Sequence, residues 1–159
     1  MTRRPSIIHR RRTQKGAAAV EFALIAPIFI LLIVGLIQYG FYFYAMQSGT
    51  SAVGEATRRM AVGDCQAESE VKNLLYGRLG AATTATSSSG ITINTRSYTK
   101  ADGTTTTASP GEIGGTVTLT ATFPTINLNF PLISMPNGGN VTRSATARIE
   151  DVSSMTGGC

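Results

Sequence analysis

Charge is what this chain of 159 residues lacks over its longest apolar stretch: between Glu21 and Glu55 there is no Asp, Glu, Lys or Arg. Tryptophan is absent, histidine occurs once, at His9, and cysteine twice, at Cys65 and Cys159. One histidine in a basic tail gives no basis for a serine–histidine arrangement or a histidine-based metal site. The glycine-rich pieces IGG and NGGN lack the lysine of a phosphate-cradling loop and the context of a dinucleotide fold. No acid–base–nucleophile set is visible, so the sequence reads as non-enzymatic, with no cofactor and no metal. The first twenty residues also hold no acid, and Arg3, Arg4, Arg10, Arg11, Arg12 and Lys15 make a purely basic tail. Beyond Tyr44, eight Lys/Arg balance eight Asp/Glu, so the net charge of +5 arises in that tail. Basic charge placed directly beside an apolar run points to an anionic membrane surface and away from nucleic acid.

The apolar run is Phe22–Tyr44, FALIAPIFILLIVGLIQYGFYFY, 23 residues long. At about 1.5 Å per residue it measures about 34 Å, enough to cross a hydrocarbon core of about 30 Å. Cations precede it and none follow closely, which places the amino terminus in the cytoplasm and exports the rest. Tyr39, Phe41, Tyr42, Phe43 and Tyr44 are expected to form an aromatic belt at the far interface. Gln38 is the one strongly polar side chain inside the run, tolerable near that interface. The span is too long for the apolar core of a cleaved secretory signal, and no A-x-A pattern follows it.

The helix is expected to begin near Ala17 and to kink or loosen at Pro27. Past Tyr44, Ala45, Ser48, Ala52, Ala56 and Met60 keep helical spacing. Gly49 and Gly54 weaken that helix by about 1 kcal/mol each and would let another helix approach closely. A second short helix is predicted in QAESEVKNLLYGRLGAA, with an apolar stripe of Val71, Leu74, Leu75 and Leu79 and a stop at Gly80. Alternating, β-branched segments at 91–99, 116–123 and 141–150 read as strands. Residues 126–133 read as a short edge strand interrupted by Pro131, and PNGGN at 136–140 as a turn. The many Ser and Thr residues are read as solvated strands and turns.

The expected architecture is α+β. A basic leader, 1–16, precedes a transmembrane and extended helix, 17–62, and an exported domain, 63–159, with a short helix and an antiparallel sheet. Its core is thin, with Tyr76, Tyr98, Phe123 and Phe130 its only aromatics. Export permits oxidation, and an even pair of cysteines suggests one disulfide, Cys65–Cys159, with two free thiols as the alternative. Closing so long a loop stabilises by about 4–5 kcal/mol at most.

Glu21 remains to be explained, since an acid at the head of an apolar run is costly in lipid. The stretch KGAAAVEFALIAPIF resembles the amino-terminal signature of the TadE-like proteins, pilin-like components of the tight-adherence (Flp) pilus system. The resemblance covers about residues 10–45 and implies a pilin-like fold. It also implies cleavage by a prepilin peptidase on the cytoplasmic side, between Gly16 and Ala17, leaving Glu21 as the fifth residue of the mature chain. Phe22, where the major pilin usually has tyrosine, and Ala17, where many type IV pilins begin with phenylalanine, point to the minor class and leave TadF-like relatives open. The implied partners are the prepilin peptidase, sister pilins or pseudopilins and the inner-membrane assembly platform. The implied location is the bacterial inner membrane, with the carboxyl-terminal domain in the periplasm or carried into the pilus.

The chemistry of such a cut is consistent with the residues. It removes all six leader cations and creates an α-amino group on Ala17 with an ordinary pKa of about 8. That cation opposes the helix dipole, and an acid one turn away or on a neighbouring helix relieves it. The alternative is a Glu21 that only snorkels toward Lys15 and the lipid surface. The competing function is an uncleaved, membrane-anchored exported binding module.

Overall fold

A computed structural model describes residues 15–65, 67–107 and 111–150. Helix α1, Lys15–Ala61, is followed by helix α2, Glu68–Leu79, and four strands: β1, Thr92–Thr99; β2, Thr105–Thr106; β3, Thr116–Pro124; and β4, Asn140–Arg148. The strands form one antiparallel sheet in the order β2-β1-β3-β4. The α+β class with a long leading helix is therefore as the sequence implies. The chain divides into two compact units, Met1–Gly35 and Leu36–Cys159, and α1 contributes to both.

Within the first unit, residues 16–35 of α1 are exposed or half-exposed throughout. Phe22 keeps 73% of its surface and Leu24 71%. The helix continues through Pro27, although proline withholds a main-chain donor there. A helix apolar on all sides and exposed among the described residues suits lipid or the flanks of other helices. Among the described helices, α1 is the one long and apolar enough to cross a membrane.

The second unit is built on one face of α1. Ala45, Ala52, Val53, Ala56 and Met60 are buried at helical spacing, and the inward residues of β3, Val117, Leu119, Ala121 and Phe123, alternate with half-exposed threonines. Small side chains on the helix let the sheet come close. At Gly49 a Cβ atom would lie 2.8 Å from Phe123 Cε1 and 3.2 Å from Arg143 Cγ. The sequence suggested that Gly49 would admit another helix; its space is instead filled by the Phe123 ring. Gly54, by contrast, has nothing within 4 Å of that position.

Helix α2 buries Val71, Leu75 and Leu79, with Leu74 half-buried, and ends at Gly80 with φ +48°. The Glu70 carboxylate accepts from the Ala67 N–H at 3.1 Å, satisfying one of the donors left open at the helix start. Glu55 of α1 binds Arg59 at 3.0 Å and reaches Arg78 of α2 at 3.5 Å. The hydrogen bond from Arg59, helped by both guanidinium charges, holds the Glu55 carboxyl below the usual carboxylate range.

Three sequence expectations are corrected. Strand β1 is not a plain alternation, because a bulge between Ile93 and Thr95 shifts its register against β3. The extra residue lets Ile93 oppose Ala121 and Tyr98 oppose Val117, so both apolar side chains reach the same face. Residues 126–133 form no strand. Asn129 and Leu132 take left-handed φ values of +48° and +74°, which break an extended run, and the segment folds as a loop. The aromatic core is also thinner than expected: Tyr98 and Phe123 are buried, but Tyr76 and Phe130 are more than one-third exposed.

A further correction concerns Gln38. Its side chain is 1% exposed, donating from Nε2 to the Ile126 carbonyl at 3.3 Å and accepting at Oε1 from the Leu128 N–H at 2.9 Å. Two residues of loop backbone thus satisfy an amide that the sequence placed in the apolar run as a tolerated exception. Tyr42 packs against the core and Tyr39 donates to the Ser134 carbonyl at 3.3 Å, while Phe43 and Tyr44 stay exposed. The last part of the apolar run therefore belongs to the folded domain.

Gly49→Ala is expected to lower stability by about 1–3 kcal/mol, because overpacking against the buried Phe123 outweighs the better helix propensity. Denaturant unfolding in mild detergent checks it, and an unchanged midpoint would show that the ring moves aside freely. Gln38→Leu leaves the Ile126 carbonyl and the Leu128 N–H without their partner, at about 1–3 kcal/mol. Hydrogen exchange at Leu128 is expected to accelerate in that variant while β3 stays protected; unaltered exchange would deny the clamp.

Candidate processing and assembly site

The residues singled out by the sequence fall at the start of α1. Gly16 is its second residue, Ala17 its third, and Glu21 lies one turn beyond Ala17, about 6 Å along the axis at about 1.5 Å per residue. Positions four apart share a helix face, so a group on the Ala17 nitrogen and the Glu21 side chain lie on one side of the helix. All three residues are exposed. The leader cations Arg3, Arg4, Arg10, Arg11 and Arg12 lie outside the described residues, as does Cys159.

Among the described residues nothing requires glycine at position 16. It sits inside a regular helix with nothing within 4 Å of a Cβ position. Alanine there would favour the helix by about 1 kcal/mol. Glu21 is equally unexplained from within: among the described residues it has no ion pair or hydrogen-bond partner. The site therefore consists of a glycine and an acid whose roles the folded chain does not account for.

Of the two cysteines, Cys65 follows α1 in a left-handed conformation, φ +54°, and is fully buried in the core. Among the described residues no group of three or more His, Cys, Asp or Glu is placed to hold a metal ion.

The outer face of the sheet was read from sequence only as solvated polar strand. It is a hydroxyl lattice: Thr118 pairs with Thr146 at 2.9 Å, Thr120 donates to Ser144 at 2.9 Å, and Thr122 meets Thr142 at 2.7 Å. Thr122 also lies 2.7 Å from Asn94 Oδ1, the side chain that the β1 bulge turns outward. These cross-strand pairs use up hydroxyl groups on one another and pin the register. No nucleophile–base pairing arises among them.

No curated protein and no solved structure matches the chain. Residues 16–58, starting at the unexplained glycine and running through most of α1, match the family model of TadE-like proteins.

Proposed function

We propose that this chain is the precursor of a minor pilin or pseudopilin of a tight-adherence (Flp) pilus, cut by a prepilin peptidase between Gly16 and Ala17. The TadE-like match over residues 16–58 carries this reading, and the match ties the chain to tight-adherence pilus proteins. A helix glycine with open space around it supports it, since a peptidase needs an accessible backbone and the fold needs no glycine there. Cleavage leaves Ala17 as the new amino terminus, one turn from Glu21.

In this reading the segment from Ala17 to Ile37, about 31 Å at about 1.5 Å per residue, crosses the inner membrane. The domain that follows lies in the periplasm or is carried into the fibre. Glu21 then sits shallow in the cytoplasmic leaflet, close to the new cation. Pairing of Glu21 with the terminus of a neighbouring subunit offsets the cost of keeping an acid in lipid, up to about 3 kcal/mol, and selects helix register. The uncovered apolar helix provides the surface on which sister pilins pack, and the inner-membrane assembly platform acts on the matured subunit. Surface adhesion and biofilm formation follow as the role of the finished pilus. The oxidised periplasm favours a Cys65–Cys159 disulfide that secures the carboxyl terminus to the core.

Intact mass and amino-terminal sequencing of the protein from its membrane test both points together. The expected product starts at Ala17 and gains two hydrogens on reduction, and Gly16→Ile is expected to abolish processing. A product that keeps Met1 or Thr2 would favour the uncleaved anchored module. Glu21→Ala is expected to be processed normally yet to fail in subunit association, read by crosslinking and pilus yield. Assembly at the unmodified level would remove the role assigned to Glu21.

A further inference from the structure

The loop between β3 and β4 is apolar where a loop is ordinarily polar. There is no charged residue between Glu112 and Arg143. In this loop Leu132 is 92% exposed, Leu128 47% and Phe130 38%. Isolated exposed leucines need no explanation, but three large apolar side chains within five residues form a patch.

The position of the loop is fixed by its two ends. Leu128 is held by Gln38 and Ser134 by Tyr39, through the hydrogen bonds described above. Gln38 and Tyr39 follow immediately on Leu36 and Ile37, which are 78% and 47% exposed. Phe123, by contrast, packs at Gly49, eleven residues further along α1. On leaving β3 the chain therefore descends α1 by about 16 Å, at about 1.5 Å per residue, to the level of Gln38, where the exposed part of the apolar run gives way to the folded domain. Between the pinned ends, left-handed backbone at Asn129 and Leu132 shapes the tip. Such conformations are unfavourable for leucine and persist where the surrounding structure holds them, here through the bonds at the loop's two ends.

We propose that the 128–134 loop is a second membrane contact, seating Leu128, Phe130 and Leu132 in the interface of the leaflet from which α1 emerges. This rests on the reading that α1 crosses the bilayer. Lipid is favoured as the occupant because the loop is bonded to Gln38 and Tyr39, the residues that directly follow exposed Leu36 and Ile37 on α1, and because no charge between Glu112 and Arg143 opposes insertion. The exposed phenol of Tyr39 beside it has the amphipathic character of an interfacial anchor. With helix and loop both engaged, the domain is held against the membrane in one orientation, where a single helix would leave it free to tilt.

The chain has no tryptophan, so single reporters can be introduced into the full-length protein. Leu132→Trp, Phe130→Trp, Leu32→Trp in α1 and Thr104→Trp in the exposed β1–β2 turn are each reconstituted into phosphatidylcholine–phosphatidylglycerol vesicles. Brominated acyl chains serve as the quencher. Leu132→Trp and Phe130→Trp are expected to give blue-shifted emission roughly halved by lipid brominated near the headgroup, with Leu32→Trp quenched and Thr104→Trp unaffected. Quenching in Leu32→Trp with red-shifted, unquenched emission from both loop variants would overturn the proposal and leave the anchor intact. Blue-shifted but unquenched loop emission would mean that protein, such as a second copy, covers the loop, and would overturn the choice of lipid. An unquenched Leu32→Trp would remove the membrane span itself, and the loop contact with it.

Discussion

A helix carries the same backbone from end to end, so only its side chains can record a change of surroundings. In α1 that change is marked by Gln38. Up to Ile37 the described helix residues are exposed or half-exposed; at Gln38 a carboxamide is buried and satisfied by two groups of loop backbone. An amide without partners is costly in a hydrocarbon or protein interior, by about 2–7 kcal/mol depending on the reference medium. Position 38 is therefore tied to the folded domain, and the apolar span available to a membrane ends before it.

From Gln38 onward the helix is shaped for close contact. Ala45, Gly49, Ala52 and Ala56 present little but backbone to the sheet, and the one large ring of β3, Phe123, fits at the glycine. Arg143 of β4 lays its stem over the same spot and donates to the Met46 carbonyl at 3.2 Å. The Phe123 ring and the Arg143 stem thus fill the space that the glycine leaves open. The ion pairs from Glu55 to Arg59 and Arg78 add a link between α1 and α2. They are partly exposed and therefore contribute little on their own.

The two residues with the clearest functional claim lie outside that packed region. Gly16 and Glu21 are exposed on a helical stretch that makes no use of them internally. The TadE-like match begins at that glycine and gives both residues a common context. The hydroxyl groups on the sheet face are a contrasting case: abundant and exposed, but occupied with one another.

The long helix, the short helix with its Val71–Leu75–Leu79 stripe, and the three main strands were legible in the sequence. Each rests on a local periodicity that survives packing. The five-residue spacing of Gly16 and Glu21 along one helix was legible too, because it is a property of the chain itself. Only the tertiary structure decided where the stretch available to a membrane ends. That depends on Gln38 meeting loop backbone 88 and 90 positions away, which no local pattern encodes. The same holds for Gly49, for the β1 bulge that brings Ile93 and Tyr98 to one face, and for the loop in place of an edge strand. Each is settled by a long-range partner or a single backbone reversal, and periodicity carries no record of either.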